Sequence, residues 1–273
     1  YIDMVVKIAL ISRMPADCGI CIRAHGHPED AGSLEHIVML MYADDIVLMS
    51  HDLNEVVEML KVLDTVSADF GLKINAAKTE IQVLGGPPPT MTHVMLASGP
   101  VKITDLFKYL GSWTQQDGGM DKEISCRKNA AVGVFHSLDK VWRNKKLGVA
   151  HKMAVYNSCV LPIFTYACEA WHCTCAQLDV LEKAHRACLR QIMGITLSDR
   201  HSTRHVLEVC GSEPLQLIIM KRVFGWLGHV ERMTRERYPK MVHGCDLDAR
   251  RPRGRPKMTL RRMHAALLMK AGE

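Results

Sequence analysis

The chain has 273 residues, 48 % apolar and 23 % charged, with a formal net charge of +6. These values exclude wholesale disorder and leave room for one large or two modest domains, each with a real core. Aromatics are scarce at 5 % and Met abundant at 17 residues, and neither figure names a function.

Residues 1–34 mix short apolar runs with polar breaks and show little periodicity, and the chain starts at Tyr1 rather than Met, as expected of a piece of something longer. Next come two apolar runs, Ile37-Val38-Met39-Leu40-Met41 and Ile46-Val47-Leu48-Met49, flanking Tyr42-Ala43-Asp44-Asp45. Short apolar runs around a polar turn predict a buried hairpin. Two adjacent carboxylates at its tip would repel each other and lose hydration there, so something must compensate them.

A helix follows, with Asp52 as its cap and Glu55 completing a capping box. Leu53, Val56, Val57, Leu60, Leu63, Val66 and Phe70 share one face, and Gly71 suits the residue past the end. Leu72-Lys73-Ile74-Asn75 and Glu80-Ile81-Gln82-Val83-Leu84 read as short strands, and Gly85-Gly86-Pro87-Pro88-Pro89 is a hard break. From about Lys122 the period turns helical, with helices predicted over roughly 121–143, 147–168, 176–193, 203–210 and 213–233. Pro162 should kink or end the second of these. The fold class is therefore α+β, with a mixed front third and an almost all-α remainder.

No membrane span is expected, because the 16-residue charge-free run between Lys152 and Glu169 is broken by Asn157, Ser158 and Pro162. No signal peptide is visible. The 10 cysteines are too dispersed for a disulfide scaffold, so the reading is a reduced intracellular protein of cytoplasm and nucleus. Two groupings carry zinc-type ligands, Cys18/Cys21/His25/His27 and Cys188/His201/His205/Cys210. A third is Cys168/His172/Cys173/Cys175. None has convincing spacing, and no zinc is expected.

Charge is uneven. From Lys221 to Glu273 there are 14 Lys and Arg against 5 Asp and Glu, net +9, leaving −3 on the remaining 220 residues (21 against 24). A basic terminal segment beside a near-neutral body points to a polyanion, most often nucleic acid. Arg253-Gly254-Arg255-Pro256-Lys257 has the composition of a minor-groove hook, although a flexible linker making phosphate contacts alone is the favoured reading.

The Asp44-Asp45 pair has one specific chemical use. Phosphoryl transfer to a primer hydroxyl employs two Mg²⁺ about 4 Å apart, and converging carboxylates hold such ions. At this point the sequence resembles the reverse transcriptases of non-LTR (LINE-type) retrotransposons, through Tyr42-Ala43-Asp44-Asp45. The Gly71-Leu72-Lys73-Ile74-Asn75…Lys78-Thr79-Glu80 block is similar to the family's next palm motif, and Phe107-Lys108-Tyr109-Leu110-Gly111-Ser112 to its primer grip. Val155-Tyr156…Val160-Leu161-Pro162…Tyr166-Ala167-Cys168-Glu169-Ala170-Trp171 resembles the thumb. Trp226-Leu227-Gly228-His229-Val230-Glu231-Arg232-Met233 and Arg250-Arg251-Pro252-Arg253-Gly254-Arg255-Pro256-Lys257 resemble the element's C-terminal segment.

The resemblance implies a partial right-hand palm over 1–112, a helical thumb or connection over 113–195 and a C-terminal segment over 196–273. It implies that Asp44 ligates Mg²⁺, that Asp45 supports the metal, and that Tyr42 and Ala43 lie near the primer terminus. Lys78 would protonate the leaving pyrophosphate, its alternative being a solvated turn lysine. Tyr109, Leu110 and Gly111 would hold the primer strand, the alternative being a plain strand end. Arg250, Arg251, Arg253, Arg255 and Lys257 would bind nucleic acid. The partners implied are an RNA template, a DNA primer or target, and the missing N-terminal part of the polymerase.

The chain also departs from the family. A working polymerase needs a third carboxylate and a Gln-containing pocket motif upstream of the hairpin, yet no Gln stands in the 41 residues before Tyr42. Asp3 has an apolar, strand-like context but sits too close to the hairpin to be that acid. The expectation is a fragment that is catalytically inactive alone, with apolar edge surface and poor solubility. The alternatives are a non-catalytic nucleic-acid-binding protein derived from such an element, and a degenerate reading frame.

Overall fold

The computed structural model describes residues 2–15, 17–23, 34–86 and 89–244. Among them the chain divides into two compact units, one running to Phe107 and taking up again at Val230, the other covering Lys108–His229. Helices and small sheets alternate in the front part and helices dominate thereafter, an α+β organisation. No helix among the described residues is long and apolar enough to cross a membrane.

The first unit opens with helix α1 (Ile2–Arg13), followed by β1 (Ile20–Arg23), β2 (Leu34–Ile37), β3 (Met39–Tyr42), β4 (Asp45–Leu48) and helix α2 (Leu53–Asp69). Helix α1 replaces the aperiodic stretch expected there. Its stripe of Val5, Val6, Ala9 and Leu10 is buried against Met59, Leu63 and Val66 of α2. Asp3 therefore has a helical context, not a strand-like one, and it pairs with Lys7 one turn on at 2.8 Å.

Asp52 caps α2 as expected, accepting from the Asn54 amide at 3.0 Å. The capping box does not form. Glu55 instead accepts from the Gly19 amide at 3.0 Å and from the Ser50 hydroxyl, so its carboxylate ties the loop before β1 to the helix. Gly19 suits that approach, because its φ is +100° and a Cβ there would meet the Ile37 carbonyl oxygen at 2.8 Å.

Beyond α2 the 72–75 segment is not a strand, since among the described residues no neighbour offers it a ladder. Strand β5 (Glu80–Ile81) pairs parallel with β7 (Gly99–Ile103), which pairs antiparallel with β6 (His93–Leu96). Buried Asp64 of α2 accepts from the Ser98 amide at 3.1 Å, which pins the β6–β7 turn.

The hairpin of β8 (Leu106–Tyr109) and β9 (Ser112–Gln115) leads into the helices of the second unit. The helix expected over 121–143 is two, α3 (Asp121–Ser137) and α4 (Asp139–Trp142). The break at Leu138 lets Trp142 fold back, its ring stacked 4.8 Å from Phe135 and its indole N–H on the Phe135 carbonyl at 2.6 Å. The next expected helix is also divided, into α5 (Val149–Cys159) and α6 (Leu161–Phe164), because Pro162 cannot continue the ladder.

Helices α7 (Cys175–Met193), α8 (Thr203–Cys210) and α9 (Leu215–Arg232) fall within two residues of their predicted bounds. Helix α7 has a reciprocal Thr174/Gln177 capping box and ends at Gly194 with φ +72°. Its face of Leu178, Leu181, His185, Cys188, Leu189 and Ile192 forms the centre of the second core with Phe135, Tyr156, Phe164 and Trp171. Helix α10 (Tyr238–Gly244) closes the described chain.

Candidate functional site

Strands β3 and β4 pair antiparallel in the register Met39↔Leu48, Leu40↔Val47, Met41↔Ile46, Tyr42↔Asp45. Directly opposed residues share a face. Met39, Met41, Ile46 and Leu48 thus form one face, and all four pack on the α1/α2 core. Leu40, Val47, Tyr42 and Asp45 form the other, with Leu40 37 % and Tyr42 65 % exposed. The hairpin is therefore half-buried, packed on the core through one face only. A continuous apolar run permits burial on both faces, but among the described residues only one face is covered.

Ala43 and Asp44 make the two-residue turn. Ala43 sits at φ +54°, a left-handed conformation that costs a residue with a Cβ roughly 1–2 kcal/mol. This turn projects Asp44 and Asp45 as neighbouring carboxylates at the apex, both exposed. The desolvation expected of a buried acid pair is therefore not incurred, and water screens their repulsion.

An exposed carboxylate pair suits a Mg²⁺ ion that keeps several waters and takes one or two carboxylates. It falls short of the donor set for two ions. Among the described residues no group of three or more His, Cys, Asp or Glu stands close enough to share a metal.

Lys78 lies in the tight turn after Ile74. Its amide and that of Thr79 both donate to the Asn75 carbonyl at 3.0 Å, and the Thr79 hydroxyl does the same at 3.0 Å. Three donors on one carbonyl fix the backbone, while the Lys78 side chain is exposed. Leu72 and Ile74 pack on the same α1/α2 core as the hairpin, so the Lys78 turn and the Asp44-Asp45 apex belong to one unit.

Tyr109 stands at the end of β8, and Leu110 and Gly111 form the following turn in the second unit. Both turn residues have positive φ, +46° at Leu110 and +85° at Gly111. The Tyr166 hydroxyl donates to the Leu110 carbonyl at 2.6 Å, and the Arg127 guanidinium donates to the Gly111 carbonyl. Arg127 lies 4.5 Å over the Tyr166 ring and pairs with fully buried Glu123 at 2.6 Å. The second Glu123 oxygen accepts from the Trp113 amide at 2.8 Å. Beside the turn, the Lys122 and Lys108 ammonium groups stand 5.3 Å and 6.0 Å over the Trp113 ring.

Glu123 and Arg127 were not singled out by the sequence. Their i, i+4 spacing was a signal, but it also fits an exposed helix pair.

The basic residues Arg250, Arg251, Arg253, Arg255 and Lys257 lie outside the described residues, as do His25 and His27. Of the other Cys/His groups, Cys168, Cys173 and Cys188 are core thiols pushed up to about 12 by burial, and Cys210 to about 11. His172 donates to the Gly118 carbonyl at 2.7 Å. His201 and His205 stack on each other at 5.0 Å.

Residues 20–114 match the family model described as reverse transcriptase (RNA-dependent DNA polymerase). A transposon-derived protein of Caenorhabditis elegans is 28 % identical over 218 residues, an alignment covering 76 % of each chain. No solved structure matches the chain.

Proposed function

We propose, taking residues 20–114 as reverse-transcriptase sequence, that this chain is part of the RNA-directed DNA polymerase of a LINE-type retrotransposon. The observation that carries the reading is the hairpin apex. A strained two-residue turn, inside the matched stretch, projects Asp44 and Asp45 into solvent from a strand pair anchored on one face. In this reading residues 1–112 are palm, 113–195 thumb and 196–273 C-terminal segment, working in cytoplasm and nucleus.

Asp44 would hold Mg²⁺ and Asp45 would support it. Bound there, the ion supplies charge neutralisation for nucleotidyl transfer to a primer 3′-hydroxyl. Tyr42, exposed on the uncovered face beside Asp45, would contact the primer end, with Ala43 setting the turn. The Lys78 ammonium would meet the negative charge that builds on departing pyrophosphate and deliver its proton there. The Leu110–Gly111 turn, with Tyr109, would hold the primer strand against a rigid support. Arg250, Arg251, Arg253, Arg255 and Lys257 would hold phosphates of the RNA template or DNA target.

A second reading has its own support. With no third carboxylate grouped with Asp44 and Asp45 among the described residues, the 273 residues alone would bind nucleic acid without copying it. Primer extension on an RNA template with Mg²⁺ tests this, with Asp44→Asn as the control. No extension by either protein is expected. Extension by the chain that Asp44→Asn abolishes would overturn the inactivity and uphold the metal assignment.

A further inference from the structure

Helix α9 turns one stripe outward: Arg222, Gly225, Trp226 and His229, at i, i+3, i+4 and i+7. Its other stripe, Leu215, Ile219 and Val223, is buried in the second core. With Glu169 and Ala170 of the turn after α6, the outward stripe lines an open cleft of about 580 Å³. Trp226 is 40 % exposed there, and its ring lies 5.5 Å from that of His229, tilted by 48°.

The lining has a specific chemistry. Two planar rings stand together, and the small residues Gly225 and Ala170 leave the indole accessible. Arg222 is fixed rather than free, its guanidinium on Glu169 at 2.8 Å and on the Thr165 hydroxyl at 2.8 Å. With its charge offset by Glu169, it serves as a flat cationic edge rather than a phosphate clamp. Rings beside a guanidinium plane make a platform for an unpaired base, since every base has a π-face and guanidinium groups add cation–π attraction.

We propose that this cleft is a base-stacking subsite for single-stranded nucleic acid, with a nucleobase on Trp226, His229 beside it and Arg222 at the rim. An apolar protein side chain would also fill such a space. The nucleobase is favoured by the two rings, the cation and the reverse-transcriptase stretch in the same chain. The inference rests on the reading of the chain as part of a nucleic-acid polymerase.

The test is binding of oligo(dT), and of a strand of equal length with abasic sugars, to the full chain, followed across salt concentration. Trp226→Ala should weaken oligo(dT) binding about tenfold, the scale of one lost base–aromatic stack. His229→Ala should weaken it several-fold, and Trp226→Phe, which keeps a ring, should bind close to wild type. Neither alanine variant should change the slope of log affinity against log salt, because stacking releases no counterions. The abasic strand should bind wild type and Trp226→Ala equally. Unchanged oligo(dT) affinity in Trp226→Ala would overturn the subsite while leaving the polymerase reading intact. Failure of the wild-type chain to bind either strand would overturn both.

Discussion

The Tyr166 hydroxyl donates to the Leu110 carbonyl at 2.6 Å, joining residues 56 positions apart. This bond, the Arg127 contact with the Gly111 carbonyl and the buried Glu123–Arg127 pair hold a turn whose leucine is in left-handed backbone. Strain of that kind persists where the surroundings over-determine the conformation. Removing Arg127 would leave Glu123 charged and buried without its partner, so Arg127→Met should cost about 3–5 kcal/mol. Tyr166→Phe removes one hydrogen bond and should cost about 1 kcal/mol. Leu110→Gly, which relieves the backbone, should cost less than Tyr166→Phe. Urea unfolding of the three variants checks this order.

His185 gives the second core a pH dependence. Its Nε2 lies 3.3 Å from the Glu213 carbonyl, which can only accept, so that nitrogen carries the proton. Its Nδ1 then accepts from the Tyr156 hydroxyl at 2.7 Å. Burial pushes the imidazole from 6.5 down to about 4. Between those values the unfolded chain binds the proton and the folded chain does not, so stability rises with pH. The contribution is fully present above pH 6.5 and is lost as pH falls to about 4, amounting to about 3 kcal/mol. Unfolding midpoints across this window should show the slope in the wild type and a flatter one in His185→Gln.

The thiols should divide by burial. Cys159 and Cys175 are exposed, whereas Cys168, Cys173, Cys188 and Cys210 are buried with raised thiol pKa values. Alkylation at neutral pH followed by peptide mass mapping should label Cys159 and Cys175 within minutes. The four core cysteines should react only on unfolding, because the thiolate is the nucleophile. Rapid labelling of Cys188 or Cys210 in the folded chain would show that this core opens.

The legible parts of the sequence were those governed by local rules. Helices α7, α8 and α9 carry a long apolar period with Thr174, Ser202 and Pro214 at their starts and Gly194 and Gly211 past two of their ends, and they form close to where that pattern puts them. Helix α1 was hidden because its stripe spans barely two turns and opens on the β-branched pair Val5-Val6, residues equally at home in strands. The 72–75 segment alternates as a strand should, but strand formation needs a neighbour that only the tertiary fold supplies. Tyr42-Ala43-Asp44-Asp45 was legible as a turn between strands. Its exposure was not, because an apolar run does not say which of its faces finds a partner. The Glu123–Arg127–Tyr166 support was equally hidden, since its closure across 56 residues is a property of the fold.

The most direct test of the central claim asks where a divalent ion binds. Mn²⁺, standing in for Mg²⁺, broadens nuclear magnetic resonance signals close to it. Added below one equivalent to the full chain, it should broaden the amides of residues 43–46 first, and Asp44→Asn should abolish that pattern while leaving the rest of the spectrum unchanged. Undisturbed signals at the hairpin apex, or the same broadening in Asp44→Asn, would contradict the assignment of Asp44 and Asp45 as the metal-binding pair.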